Sequence, residues 1–168
     1  MKNNVLKNIL SFVALMFVQI YLFNHINFLG YINPYPYVLF LLVFPFTANR
    51  SLYIFIAFLT GLTMDMFGNS GGIHAAACLF LAYLRPLTLR FAFGVSYEYN
   101  AIKLSKVSLY DRFVYISILV FTHHLVLFLL EVFNISNILY TLNKTLVTSI
   151  FTIILCIVFN ILFSRRIE

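Results

Sequence analysis

Charged residues are scarce in this chain, at 10% of 168 residues, whereas a soluble domain carries about 25%. Hydrophobic residues make up 62% of the sequence, and the mean hydropathy is +0.97. A soluble protein of this length could not bury so much apolar surface, but a lipid bilayer solvates such a surface directly. The composition therefore excludes a soluble globular domain and indicates one polytopic membrane domain over residues 1–168.

Acidic residues and cysteines are also few. The five Asp and Glu residues leave little scope for paired catalytic carboxylates, and no HExxH, Ser-His-Asp or Walker A pattern is present. Cys78 and Cys156 lie in apolar runs, where neither a disulfide framework nor a CxxC metal site is expected. We interpret both as small buried hydrophobic residues. The sequence thus predicts no enzyme activity, no cofactor and no metal site.

The apolar residues fall into six segments. They predict an all-α integral membrane protein with six transmembrane helices, at approximately residues 9–23, 28–47, 51–67, 72–93, 113–133 and 146–163. The second segment is short for a span of about 20 residues and carries Pro34, Pro36 and Pro45, so it must include the stretch from Phe28 to Ile32 or be kinked. The third and fourth segments are separated by four residues and therefore predict a tight helical hairpin.

Lysine and arginine predict the orientation. With six spans, ten of the eleven basic residues lie on one side of the membrane and only Lys144 lies on the other. The basic side is expected to be cytoplasmic, which places both termini there. The ten residues are Lys2, Lys7, Arg50, Arg85, Arg90, Lys103, Lys106, Arg112, Arg165 and Arg166. Attraction to anionic lipid accounts for the net charge of +6, so no nucleic-acid partner is expected.

The predicted hairpin holds the first candidate site. Ala57, Gly61 and Asp65 recur at a spacing of four and so share one helical face, and this small-x-x-x-small pattern lets two helices approach closely. Asp65 is expected near His74 and the free N–H groups that begin the fourth helix. We favour a structural role for this carboxylate; the alternative is a proton or ligand site.

Arg85, Pro86 and Arg90 form a second group in the fourth segment. Arg85 lies about 18 Å along a helix that begins at Ile73, at 1.5 Å per residue. We expect Pro86 to kink or end the helix, and Arg85 and Arg90 to anchor at the cytoplasmic headgroups. The alternative for Arg85 is an ion pair with a carboxylate on another protein.

Two adjacent histidines in the fifth segment are a third group. His123 and His124 lie near its middle, and Glu131 follows His124 by seven residues, which places the two on one face. A proton relay is one interpretation of this possible intramembrane polar cluster. However, the sixth segment supplies no acid, and its Thr148, Ser149, Thr152 and Asn160 suit interhelical hydrogen bonds. We therefore favour packing.

The run from Gly61 to Ala75, GLTMDMFGNSGGIHA, resembles the signature of the rod shape-determining MreD family. In that family a glycine precedes an aspartate that ends one span, and a Gly-containing turn then opens a helix of small residues. Length, number of spans, basic ends and the position of Arg85-Pro86 fit as well, and the His74 variant resembles Bacteroidetes-type members. Carried onto this sequence, the motif matches Gly61, Asp65, Gly68, Gly71 and His74. With the small residues Ala57, Gly72 and Ala76, these form the predicted hairpin that serves the fold and faces the partner.

The resemblance implies a non-catalytic scaffold of the bacterial inner membrane that takes part in cell-wall elongation. Such proteins bind MreC and belong to an assembly with the filament protein MreB, the polymerase RodA and a class B penicillin-binding protein. Their helical arrangement is similar to that of the substrate-binding S components of energy-coupling factor transporters. The resemblance also implies a basic cytoplasmic face for filament or lipid and a groove of small residues for a partner helix.

A substrate-binding subunit of a small-solute or vitamin transporter is the alternative function. It would require a polar cavity on the outer side, for which the outer loops supply Asn24, His25, Asn27, Asn33, Asn134, Asn137 and Asn143. It would also require small-residue motifs on its helices that couple to an ATPase module. Ala75, Ala76 and Ala77 could imitate such a motif.

Overall fold

The computed structural model describes residues 2–26, 32–46, 48–94, 104 and 107–165, and over these residues the protein is helical. The α-helices are α1 (Lys2–Tyr21), α2 (Val38–Val43), α3 (Arg50–Gly68), α4 (Ile73–Phe93), α5 (Leu109–Val132) and α6 (Ile138–Arg165). Short 3₁₀ turns lie at Phe23–His25 and Ile135–Asn137. Asn27, Lys103, Lys106 and Arg166 fall outside the described residues, as do 28–31 and 47 of the second predicted span.

Within the described residues, four helices are long and apolar enough to cross a membrane: α3, α4, α5 and the part of α6 from Ile138 to Leu162. They correspond to the third to sixth predicted segments and make the chain a multi-pass membrane protein. The apolar helical stretch Ile9–His25 is shorter. Within the second predicted segment, the α-helix is α2, whose six residues are about 9 Å long at 1.5 Å per residue.

Helices α3 to α6 pack in chain order as antiparallel neighbours. Arg50 of α3 lies over the ring of Tyr83 in α4, Arg85 of α4 bonds Tyr115 of α5, and Glu131 of α5 bonds Lys144 of α6. One end of the bundle, the basic end, therefore holds the start of α3, the end of α4 and the start of α5. The opposite end, the turn end, holds the α3–α4 turn and the α5–α6 connection.

Local signals set the ends of these helices. Asn49 caps α3 by accepting from the N–H of Ser51, and Ser108 caps α5 by accepting from the N–H of Asp111, as side-chain oxygens commonly do at helix starts. Asn69 adopts a left-handed conformation, with φ at 49°, directly after α3, a common way for a helix to end. Pro86 does not end α4, which continues to Phe93.

The chain between α1 and α3 runs back through the bundle. Tyr35 contacts the rings of His74 and His124 towards the turn end, whereas Phe46 contacts those of Phe93 and Tyr115 towards the basic end. This stretch, which includes α2, is packed among the long helices, and five consecutive α2 residues from Val38 to Leu42 are buried. Backbone of this irregular kind is tolerated at membrane depth only when protein surrounds it.

The outer surface of the bundle is apolar. Large side chains are exposed along every long helix; examples are Phe55, Phe58, Tyr83, Phe91, Leu139 and Ile150. In a soluble protein so extensive an apolar surface would drive association, whereas lipid solvates it. The helices thus pack against one another inside the bundle and expose apolar side chains on its outer surface, as a multi-pass membrane protein requires.

Candidate functional site

Asp65 joins α3 to the start of α4. Its carboxylate accepts from the backbone N–H groups of His74, at 3.0 Å, and Ala75, at 2.8 Å, and from the hydroxyl of Ser70, at 2.5 Å. The first N–H groups of a helix have no partner within it, and a negative charge there is stabilised by the helix dipole. Asp65 is buried and accepts from these three donors, an arrangement that suits a structural carboxylate.

The small face of α3 packs against α4 of the same chain. A Cβ placed on Gly61 would come within 2.5 Å of the Cα of Ala75 and of the carbonyl oxygen of His74. Ala57 on the same face is also buried. The face expected to receive a partner helix is therefore already occupied within the chain, and an outside helix has to bind elsewhere.

Side chains satisfy the backbone at the start of the α2 segment. Gln19 of α1 donates to the carbonyl oxygen of Pro34 and accepts from the N–H of Tyr37. Thr152 of α6 accepts from the N–H of Tyr35, at 3.1 Å. Buried backbone N–H and C=O groups need hydrogen-bond partners, and these side chains supply the partners that a longer helix would supply from its own backbone.

Arg85 satisfies the other end of α2. Its guanidinium donates to the carbonyl oxygens of Leu42 and Phe44 and to the hydroxyl of Tyr115. The group lies 4.2 Å from the centre of the Tyr53 ring, and the residue is only 4% exposed. The structure thus places Arg85 inside the bundle, whereas the sequence suggested an anchor at the headgroups; the free carbonyls at the end of α2 are the physical reason. Arg90 is exposed.

Tyr37 bonds two histidines inside the bundle. Its hydroxyl lies 3.0 Å from Nδ1 of His74 and 3.0 Å from Nε2 of His123, with the sulfur of Cys78 at 3.7 Å. Tyr37, His123 and Cys78 are completely buried. We name Tyr37, His74 and His123 the Tyr37 relay. Nδ1 of His123 has no hydrogen-bond partner among the described residues.

His124 belongs to a separate circuit. Its Nδ1 lies 2.7 Å from the carbonyl oxygen of Val120, and its Nε2 lies 3.3 Å from the hydroxyl oxygen of Thr152. A carbonyl oxygen only accepts, so Nδ1 carries the proton and Nε2 accepts from Thr152. The circuit runs from the N–H of Tyr35 through Thr152 and His124 to Val120.

Glu131 lies apart from both histidines, at the end of α5. Its carboxylate oxygens lie 2.9 and 3.0 Å from Nζ of Lys144, and this Nζ also lies 4.5 Å from the centre of the Phe128 ring. The suggested cluster of His123, His124 and Glu131 is therefore divided into the relay, the circuit and an ion pair. The sequence predicted no role for Gln19, Tyr37, Tyr53 or Tyr115. The Pro-rich second segment was the available signal, because a short helix leaves buried backbone groups that need side-chain partners.

A cavity of about 710 Å³ opens at the turn end. We name it the polar cavity because amide, imidazole, hydroxyl and carboxylate groups all line it. Its lining residues are Ile20, Asn24, His25, Asn33, Tyr35, Met64, Phe67, Gly68, Asn69, Ser70, Gly71, Ile73, His74, Leu127 and Glu131. The structure therefore brings together three of the outer polar residues, Asn24, His25 and Asn33, with the hairpin residues Gly68, Gly71 and His74.

A second depression, the α5–α6 groove, lies on the side of the bundle. It has a volume of about 420 Å³ and is lined by Phe113, Ser117, Ile118, Phe121, Leu146, Ser149, Ile150 and Ile153. The hydroxyl oxygens of Ser117 and Ser149 have no hydrogen-bond partner in the part of the chain that the structure describes.

No protein-family model, curated protein or solved structure matches the chain.

Proposed function

We propose that the chain is a non-catalytic scaffold of the inner membrane that binds MreC and links MreB filaments to peptidoglycan synthesis, and that it thereby regulates cell shape. RodA, a class B penicillin-binding protein and membrane lipid complete the proposed assembly. We infer this role from the resemblance of residues 61–75 to the MreD signature. Within that run Gly61 and Asp65 both serve the α3–α4 contact, in keeping with a motif that maintains a fold.

The α5–α6 groove is the observation that supports a scaffold best. Its walls are apolar, as a surface for a transmembrane partner must be, and its two serines are small. Small residues are enriched where transmembrane helices pack, because they permit close approach. The groove thus suits the single membrane-spanning helix of MreC. We place that helix here and not on the small-residue face of α3, because α4 already covers that face.

We also propose that six segments cross the membrane and that both termini are cytoplasmic. The passage of the α2 segment from the turn end back to the basic end supports this topology, because it supplies a second crossing without a long helix. Arg50, Arg90 and Arg112 lie at the basic end, as the excess of basic residues in cytoplasmic loops requires.

Site-specific photo-crosslinking in living cells tests the scaffold. A photoreactive amino acid at Phe121 or Ile150, in the groove, should give a crosslinked product that contains MreC. The matched control is Leu62, which is exposed on α3 outside the groove and should give no such product. Mild-detergent purification followed by mass spectrometry should recover MreC together with the chain. Crosslinks to lipid alone from both groove positions, with no MreC recovered, would contradict the scaffold.

A substrate-binding subunit of a solute transporter remains the second candidate, and the polar cavity favours it. A polar cavity of the kind that this function requires lies at the turn end, which the proposed topology makes the outer side, and Asn24, His25 and Asn33 are among its lining residues. The same purification separates the two functions: recovery of paired ATPases with a transporter coupling protein, in place of MreC, would establish the second.

A further inference from the structure

The polar cavity is electrically balanced. Glu131 contributes the only carboxylate among the described residues that line it, and Lys144 already neutralises it through two hydrogen bonds. Asp65 is not one of these residues and is occupied by three donors. An anion would find no lysine or arginine among the described lining residues, and a cation would have to displace Lys144. A neutral polar ligand meets neither obstacle, since it carries no charge that must be compensated.

Asn24 presents donors to the cavity. Its Oδ1 accepts from Nε2 of Gln19, at 2.9 Å, and this bond fixes which way the amide faces. The NH₂ group of Asn24 is therefore the part of the amide that a ligand can use, and it donates. Asn69 adds a further amide, and Tyr35 adds an aromatic ring.

The Tyr37 relay determines what His74 offers. The hydroxyl of Tyr37 has one proton to donate, and an imidazole nitrogen at 3.0 Å is a better acceptor than the Cys78 sulfur at 3.7 Å. It therefore donates to one histidine and accepts from the other. If His123 carried its proton at Nδ1, that N–H would be buried without an acceptor, and among backbone groups orphaned N–H groups are rarer than orphaned acceptors. His123 therefore donates from Nε2 to Tyr37, and Tyr37 donates to Nδ1 of His74. His74 is left protonated at Nε2, and His74 is one of the residues that line the cavity.

We propose that the polar cavity binds a neutral sugar or N-acylated sugar from the outer side of the membrane. Such a ligand carries acceptor oxygens for Asn24 and His74, hydroxyl donors for Glu131, and C–H faces that pack on Tyr35. The volume of about 710 Å³ falls within the 300–1,000 Å³ typical of small-molecule sites. This site goes beyond the scaffold role, and it names a ligand class for the cavity that favours the second candidate. It depends on neither function, because binding is a property of the purified chain.

Saturation-transfer difference NMR on the purified protein tests the proposal, in a detergent without a sugar headgroup. The probes are trehalose and N,N′-diacetylchitobiose, with glycine betaine and acetate as charged comparisons. We expect transfer to at least one sugar and none to the charged probes. Asn24→Leu and Asn69→Gly should weaken sugar binding by about threefold to tenfold, the loss of one hydrogen bond. Asn143→Leu is the matched control, because Asn143 is exposed and lies outside the cavity.

The role of Tyr37 as a positioning residue has its own readout. Nitrogen NMR of ¹⁵N-histidine-labelled protein should show His74 protonated at Nε2, and Tyr37→Phe should mix its two tautomers and weaken sugar binding. The proposal is overturned if neither sugar binds at about 50 mM, if a charged probe binds in preference, or if Asn143→Leu weakens binding as much as Asn69→Gly does. Because Asn69→Gly leaves the left-handed turn unstrained, its effect is separable from misfolding.

Discussion

Arg85 is a buried cation that is held without a carboxylate contact in the part of the chain described. A buried charge needs compensation, and here it comes from two backbone carbonyls at the end of a helix, one phenol and the faces of aromatic rings. The C-terminal end of a helix carries partial negative charge and so favours a cation. The sequence showed that an arginine lies within a span, but the acceptors that surround it come from residues 30 to 43 positions away.

Replacement of Arg85 should destabilise the protein strongly. In Arg85→Met the carbonyl of Phe44 loses the Arg85 donor, and that of Leu42 keeps the Tyr115 hydroxyl. We expect a loss of at least about 2 kcal/mol in unfolding free energy, because a buried carbonyl is left without this partner. Thermal unfolding in detergent measures the loss. Arg90→Met is the control, since Arg90 is exposed on the same helix, and it should change stability far less. Equal effects of the two substitutions would show that Arg85 does not hold α2.

Two threonines on α6 allow a second comparison between residues. Thr152 and Thr148 lie one turn apart and both are completely buried, but only Thr152 has hydrogen-bond partners, Tyr35 and His124. Thr152→Val should cost about 1 to 2 kcal/mol, because it leaves an N–H without an acceptor. Thr148→Val should be neutral or stabilising, since it removes an unpartnered hydroxyl. Urea or thermal unfolding of both variants in detergent is the measurement, and a larger loss for Thr148→Val would contradict the circuit.

At the scale of elements, the α3–α4 hairpin is what the sequence predicted in most detail. Four residues between two apolar segments require a tight turn, and the spacing of Ala57, Gly61 and Asp65 places them on one face whatever the tertiary structure. The sequence did not determine what covers that face. A partner helix and the neighbouring helix α4 would both select small residues, and only the folded chain distinguishes them.

Gly61→Ala should loosen this hairpin. The added Cβ would lie 2.5 Å from backbone atoms of α4, so the two helices must separate, at a cost of about 1 to 3 kcal/mol. Gly68→Ala is the matched control on the same helix, because its Cβ would meet only the Ser70 hydroxyl oxygen, at 3.6 Å. That variant should be neutral or slightly stabilised by the better helix propensity of alanine. Membrane abundance and thermal midpoint measure the difference, and a tolerated Gly61→Ala would refute the close approach.

For the whole molecule, the second predicted segment gives the main difference between sequence and structure. Its prolines and its shortage of apolar residues indicated difficulty in forming a span, and the described part contains a six-residue helix surrounded by other helices. The direction of this segment places α1 and α3 parallel, so that one end of the molecule gathers arginines and the other holds the polar cavity. The proposed topology of six crossings follows from that direction.

Cysteine labelling in intact spheroplasts tests this topology. Ser136→Cys, exposed at the turn end, should react with a membrane-impermeant maleimide, whereas Ser51→Cys, exposed at the basic end, should react only after the membrane is permeabilised. The native Cys78 and Cys156 are completely buried, so they should remain unlabelled in both variants. Labelling of Ser51→Cys from outside would reverse the proposed orientation.

Composition and periodicity by themselves determined that the chain is a helical, multi-pass membrane protein, because the fit of an apolar helix to a bilayer depends only on local length and hydropathy. The bounds of the α3–α4 hairpin are similarly local. Only the tertiary structure decided that Arg85 turns inward, that Glu131 separates from the two histidines, and that Tyr37 joins His74 to His123. Those outcomes depend on contacts between residues far apart in the chain, and they are set by the need of a buried, irregular segment to satisfy its backbone with side chains from all the helices around it.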